Sequence, residues 1–147
     1  MLTRYQRLPL KMTSQHLKRA LLTILNFLFH VLHMTIILFF LFGWLVKETR
    51  QLHYLLTLLI LFSWYGLGIF YGFGYCLITD IQWRIKRHLG QTPSTEYYIK
   101  YMLDKITGLD TRANFVNRLT TYTYFGIFII ATGLFLKKLI VSDVFLN

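Results

Sequence analysis

Two sets of residues in this 147-residue chain are of types that could do chemistry. The first is Asn26, His30 and His33, polar residues inside an apolar run. The second is the only cysteine, Cys76, followed by Thr79, Asp80, Gln82 and Trp83. An imidazole surrounded by hydrocarbon needs a partner. It can ligate a haem or a metal ion, relay a proton, or fix helix packing through an interhelical hydrogen bond. Cys76, Thr79 and Asp80 fall at i, i+3 and i+4, which is one face of a helix. That face could hold a small ligand or a metal, or present a reactive thiol. The same residues also read as a helix exit, with Thr79 bonding back to a carbonyl, Asp80 pairing with Arg84 at i+4 and Trp83 anchored in headgroups. Nucleophilic catalysis would require an adjacent base, and no P-loop, zinc spacing or Ser–His–Asp pattern is present. No catalytic residue and no dedicated metal site is therefore assigned. A single cysteine excludes an intrachain disulfide framework and a multi-thiolate site within one chain.

Composition says where these residues live. Hydrophobic residues make up 55%, aromatics 18% and charged residues 15%, and the mean hydropathy is +0.48. A soluble fold of this size could not hide so much hydrocarbon. The net charge of +10 fits cationic flanks on membrane segments and contact with anionic lipid headgroups. No nucleic-acid-binding motif accompanies it, so nucleic acid is not an expected partner.

The elements that must position the polar residues follow from the apolar runs. The expected fold is all-α, a membrane helical bundle with three spans near 20–46, 53–78 and 119–141 and an interfacial helix near 95–107. Residues 1–19 read as a separate basic segment at the membrane surface. The first span lacks any Asp, Glu, Lys or Arg and is long enough to cross with tilt. Lys47–Leu52 reads as the turn. On that geometry His33 faces Gly66, and His53 lies about 20 Å higher, so the two histidines sit at different depths. Two copies of His33 across a homodimer could flank a haem where one chain could not.

The second span ends in Gly66, Gly68, Gly72 and Gly74, with Gly68 and Gly72 in a small-xxx-small pattern that lets helices approach closely. Gly126 and Gly133, seven apart on the last span, read as the receiving face. The same glycines could instead mark a bend. Pro93–Ser94–Thr95–Glu96 reads as a helix start. Ile99, Met102, Leu103 and Ile106 then give one apolar face, and Gly108 gives a stop. Tyr97, Tyr98 and Tyr101 are placed at headgroup level by this reading, or the helix packs under the bundle. Asp110 or Thr111 is expected to cap the last helix.

The second span and its exit resemble a family of small bacterial integral-membrane proteins catalogued as domain of unknown function 2784. The matching positions are His33, His53, Gly74, Tyr75, Cys76, Thr79, Gln82 and Trp83, and the resemblance runs roughly from Asn26 to Gly108. Leu77 stands where many members have Pro, and Gln82 where many have Glu, which removes a carboxylate unless Asp80 substitutes. The resemblance implies membrane location and bacterial origin, and no activity.

Charge gives the expected threading. Twelve of the sixteen Lys and Arg fall in the N-terminal segment and the 80–118 connection. The positive-inside rule places both in the cytoplasm and the C-terminus outside. The leading expectation is a non-enzymatic scaffold or interaction subunit of the bacterial inner membrane, working as a homo-oligomer or with other membrane subunits and without a cofactor. One alternative is a haem- or metal-binding redox component using His33 and His53 with Cys76. Another is a small transporter or channel subunit.

Overall fold

The computed structural model describes the backbone of residues 4–144 and the side chains of residues 14–141. Every regular element among the described residues is helical. Three helical stretches are long and apolar enough to cross a membrane: Ser14–Phe42, Lys47–Tyr71 and Ala113–Val141.

Helix α1 runs unbroken over Arg4–Phe42. The basic segment expected as a separate surface element is instead, from Arg4 on, the first part of α1; residues 1–3 lie outside the described chain. The helix stops four residues earlier than the expected end at 46. Its free carbonyl ends are then met locally, as a terminus requires. Gly43 N donates to Phe39 O at 2.7 Å and the Trp44 indole to Leu41 O at 2.9 Å. Thr49 Oγ1 donates to Gly43 O at 2.6 Å and Arg50 Nε to Trp44 O at 3.0 Å. The reversal therefore centres on 43–49 rather than 47–52. That shift changes which residues of the first two spans sit level.

The second span is helix α2 (Arg50–Leu61), a π-turn over Phe62–Gly66, and helix α3 (Gly68–Tyr71). It does not continue to 78. Gly72 and Gly74 adopt φ of 100° and 85°, where side-chain-bearing residues are strained, and the chain doubles back. Gly74 N donates to Trp64 O at 3.1 Å, and Ser63 Oγ to Tyr75 O at 3.0 Å. A Cβ on Gly68 would lie 3.3 Å from Phe73 Cα, so its lack of a side chain admits the returning loop. Gly72 and Gly74 therefore mark a bend, and Gly68 sits against the returning loop.

Helix α4 (Leu77–His88) follows and packs on α1. Helix α5 covers Tyr98–Thr107, three residues later than its expected start, and ends at Gly108 in the left-handed conformation, φ 71°. Helix α6, Ala113–Val144, packs on α2 and touches α5. Asp110 and Thr111 do not cap it. They tie down α5 instead: Asp110 pairs with Lys100, and Thr111 donates to Asp104 from both its backbone N–H and its hydroxyl.

Two aromatic clusters hold the helices. Trp83, Tyr98 and Tyr101 are buried together with Met34, Ile37 and Met102 around them. Tyr124, 1% exposed, stacks on Phe40 and leans on Trp64, and its hydroxyl donates to Thr57 O at 2.7 Å. Gly126 and Gly133 do not receive the second span. They lie exposed on α6, and a Cβ at either would meet nothing within 4 Å.

Candidate functional site

The fold-back after Gly74 carries α4 onto α1 at His33, which is buried at 5% exposure. Every polar edge of this ring has a partner within the chain. His33 Nδ1 lies 3.3 Å from Gln82 Oε1. An amide oxygen only accepts, so Nδ1 carries the proton and Nε2 presents its lone pair. That nitrogen lies 3.4 Å from Thr79 Oγ1 and 3.7 Å from Cys76 Sγ, both able to donate. Tyr98 covers one face of the imidazole, with centroids 3.6 Å apart and planes 8° from parallel. Gln82 is completely buried, and its Nε2 has no hydrogen-bond partner.

A second polar chain leads away from the first. Tyr98 Oη lies 3.1 Å from His30 Nδ1, and the His30 ring stacks on Tyr101. The Tyr101 hydroxyl accepts from Lys86 Nζ at 2.8 Å and from Lys105 Nζ at 3.1 Å. Lys86 is buried at 5% exposure and also lies 4.7 Å from the Tyr101 ring centroid, so its charge rests on π density and a phenol oxygen. Burial, with Tyr101 adding to it, pushes the Tyr98 phenol up to about 12. Burial also works to raise Tyr101, but the hydrogen bonds from Lys86 and Lys105 outweigh it and hold that phenol below its ordinary value.

The sequence-predicted residues separate into groups. His33, Cys76, Thr79 and Gln82 are brought together. His53 is not among them. Completely buried, it bonds through Nε2 to Phe40 O at 2.7 Å, two turns and about 10 Å along α1 from His33. His33 and His53 thus engage different parts of α1 and do not form a pair of facing ligands. Asp80 faces Arg84, with a 2.9 Å ion pair, and accepts from Tyr75 Oη at 3.0 Å. Trp83 is not a headgroup anchor: it is 5% exposed, and its indole donates to Thr95 O at 2.9 Å. Thr79 turns to His33 rather than back to a carbonyl. Tyr98 and Tyr101 are buried under the bundle, whereas Tyr97 is exposed. The contacts of Tyr98, Tyr101 and Lys86 leave no mark on the sequence pattern, because their partners lie far away in the chain. Their one local signal was the cluster of tyrosines on an otherwise ordinary amphipathic helix.

No group of three or more His, Cys, Asp or Glu able to hold a metal ion occurs among the described residues. A family model described as "Protein of Unknown function (DUF2784)" matches residues 23–137, and the chain belongs to that family. No curated protein and no solved structure matches it.

Proposed function

We propose that this member of the family is a non-enzymatic interaction subunit of the bacterial inner membrane, with its N-terminus and 80–118 connection cytoplasmic and its C-terminus outside. The observation that carries this reading is the internal pairing of His33. Both ring nitrogens engage residues of α4 or its N-cap, and Tyr98 covers a face. A ring so engaged acts as a fastener between α1 and the folded-back connection. His53 likewise spends Nε2 on Phe40 O. Both buried histidines are thus engaged by the chain's own helices. The outward faces carry many large apolar side chains, and α6 leaves Gly126 and Gly133 open on one side. Small residues seven apart on a lipid-facing helix allow close approach of another helix. The partner is a second copy of this chain or another membrane subunit, and the basic flanks contact anionic headgroups.

Native mass measurement on protein extracted in mild detergent tests the reading. An assembly that dissociates in a Gly126→Ile/Gly133→Ile variant is the expected result. A monomer whose state is unchanged by those substitutions contradicts it.

A haem- or metal-binding redox role keeps one supporting observation, the approach of Cys76 Sγ to His33 Nε2 at 3.7 Å. It offers two ligands and would require the Thr79 hydroxyl or a second chain to complete the shell.

A further inference from the structure

Tyr101 gathers positive charge that the chain does not answer. Its oxygen accepts from Lys86 Nζ at 2.8 Å and from Lys105 Nζ at 3.1 Å, so two ammonium groups lie within about 6 Å of each other. Like charges this close repel. Among the described residues neither lysine has a carboxylate within 4 Å: Asp80 pairs with Arg84, and Asp104 and Asp110 both pair with Lys100. The Trp83 ring, the Tyr101 ring and the Gln91 amide are the neutral neighbours of Lys86. His30, stacked on Tyr101, brings no negative charge. A π face and a phenol oxygen orient an ammonium without cancelling its charge. Yet Lys86 is buried at 5% exposure, and buried charges are ordinarily paired.

Donors are in surplus as well. An ammonium has three N–H groups. Lys86 finds one good acceptor in Tyr101 and a weak one in Gln91 Oε1, at 3.5 Å on an exposed side chain. Lys105 is exposed and finds Tyr101 alone among the described residues. The Tyr101 oxygen accepts twice, and its own O–H meets no acceptor among them. A compact oxyanion suits three such side chains, and a phosphate offers several acceptor oxygens at once. The surroundings select the kind of phosphate. Ile106, beside Lys105, is 71% exposed, and Phe27, one turn from His30 on α1, is 64% exposed. A phosphate that carries acyl chains satisfies both the donors and this apolar surface. A free phosphate satisfies only the donors.

We propose that Lys86, Lys105 and Tyr101 form a binding site for the phosphate of an anionic lipid headgroup. The two ammonium groups and the phenol O–H donate to its oxygens, and the acyl chains cover the apolar side chains around them. A zwitterionic headgroup brings its own cation and leaves the two lysines uncompensated. The site rests on the membrane placement and headgroup contact already proposed, and it adds one defined position where α4 meets α5.

Native mass measurement on the delipidated full chain in mild detergent tests this, with phosphatidylglycerol, phosphatidylcholine or inorganic phosphate added. The expected result is one phosphatidylglycerol held per chain, about tenfold more tightly than phosphatidylcholine and not displaced by an equal concentration of inorganic phosphate. Lys105→Gln is expected to weaken phosphatidylglycerol about tenfold, as the loss of one charge-assisted hydrogen bond does. Lys105 is exposed, so this variant keeps the buried contacts of Lys86 and Tyr101. The comparator is Arg87→Gln, an exposed cation next to Lys86, which as a screened surface charge changes binding by less than about twofold. Equal losses in Lys105→Gln and Arg87→Gln overturn the site and leave the general attraction of the basic flanks standing. A wild type with no preference for phosphatidylglycerol overturns both. Displacement of the lipid by inorganic phosphate at equal concentration overturns the lipid as occupant and makes the site one for a soluble anion.

Discussion

His33 and Gln82 stand 49 positions apart in the chain and share one hydrogen bond of 3.3 Å. Buried polar groups that lose a partner cost more than the bond itself was worth, about 1–3 kcal/mol each. His33→Leu leaves the Gln82 amide without its one partner and Thr79 without Nε2. The expected loss is about 2–4 kcal/mol of stability in detergent. The double variant His33→Leu/Gln82→Leu is expected to be less destabilised than the two single losses added, because it leaves no orphan amide. A thermal or SDS unfolding series checks this, and strict additivity would remove the fastener role. None of the pairing was legible in sequence. A histidine in a span announces that it needs a partner, but not which one. A turn at 47–52 and a straight second span would set His33 level with Gly66; the turn at 43–49 and the fold-back after Gly74 set Gln82 against it instead. The i+4 pair of Asp80 with Arg84 was legible because both ends lie on one helix.

At the scale of elements, glycines decide between two readings that composition does not separate. Gly72 and Gly74 sit at positive φ with open space around a would-be Cβ, so substitution there meets backbone strain and no clash. Gly72→Ala or Gly74→Ala is expected to cost about 1–3 kcal/mol, read as a lowered melting temperature and looser packing of α4 on α1. Gly126→Ala and Gly133→Ala are helical, unhindered positions. Each is expected to stabilise the isolated chain by up to about 1 kcal/mol. The reverse ranking of the two pairs would restore the packing-face reading. Helix α5 was more legible: its apolar spacing and its Gly108 stop were readable, although its depth was not. Exposed and buried tyrosines look alike until the connection is seen to fold back. The corner from α5 into α6 carries a pH dependence. The Lys100 hydrogen bond, with those from the Thr111 hydroxyl and backbone, holds the Asp104 carboxyl down at about 2. A folded-state value below the unfolded one means the native corner binds fewer protons. Its contribution is complete above the ordinary carboxylate value near 4 and is lost as pH falls toward 2. Protection at 108–113, relative to the intrinsic exchange rate, is expected to fall between pH 4 and pH 2 in the wild type. Asp104→Asn should remove that extra dependence, and an unchanged slope in the variant would contradict the assignment.

For the whole molecule, three helices are long and apolar enough to cross a membrane, and the proposed threading puts the two ends of the chain on opposite sides. The spans were the most legible feature, because long runs without charge admit few structures in lipid. Their boundaries moved where irregular backbone, the turn after Phe42 and the loop at Gly72–Cys76, replaced helix. Fusions of a compartment-sensitive reporter are expected to place residue 91 and the N-terminus in the cytoplasm and the C-terminus outside. A reporter at residue 91 on the same side as the C-terminus would reverse the proposed threading. The central claim is that the intramembrane histidines serve the chain itself rather than a cofactor. An absorption spectrum with metal analysis, on protein purified in mild detergent beside a His33→Ala variant, tests it most directly. The account predicts a colourless, metal-free wild type and a variant that differs only in stability. A stoichiometric haem or metal ion that disappears in the variant would contradict it.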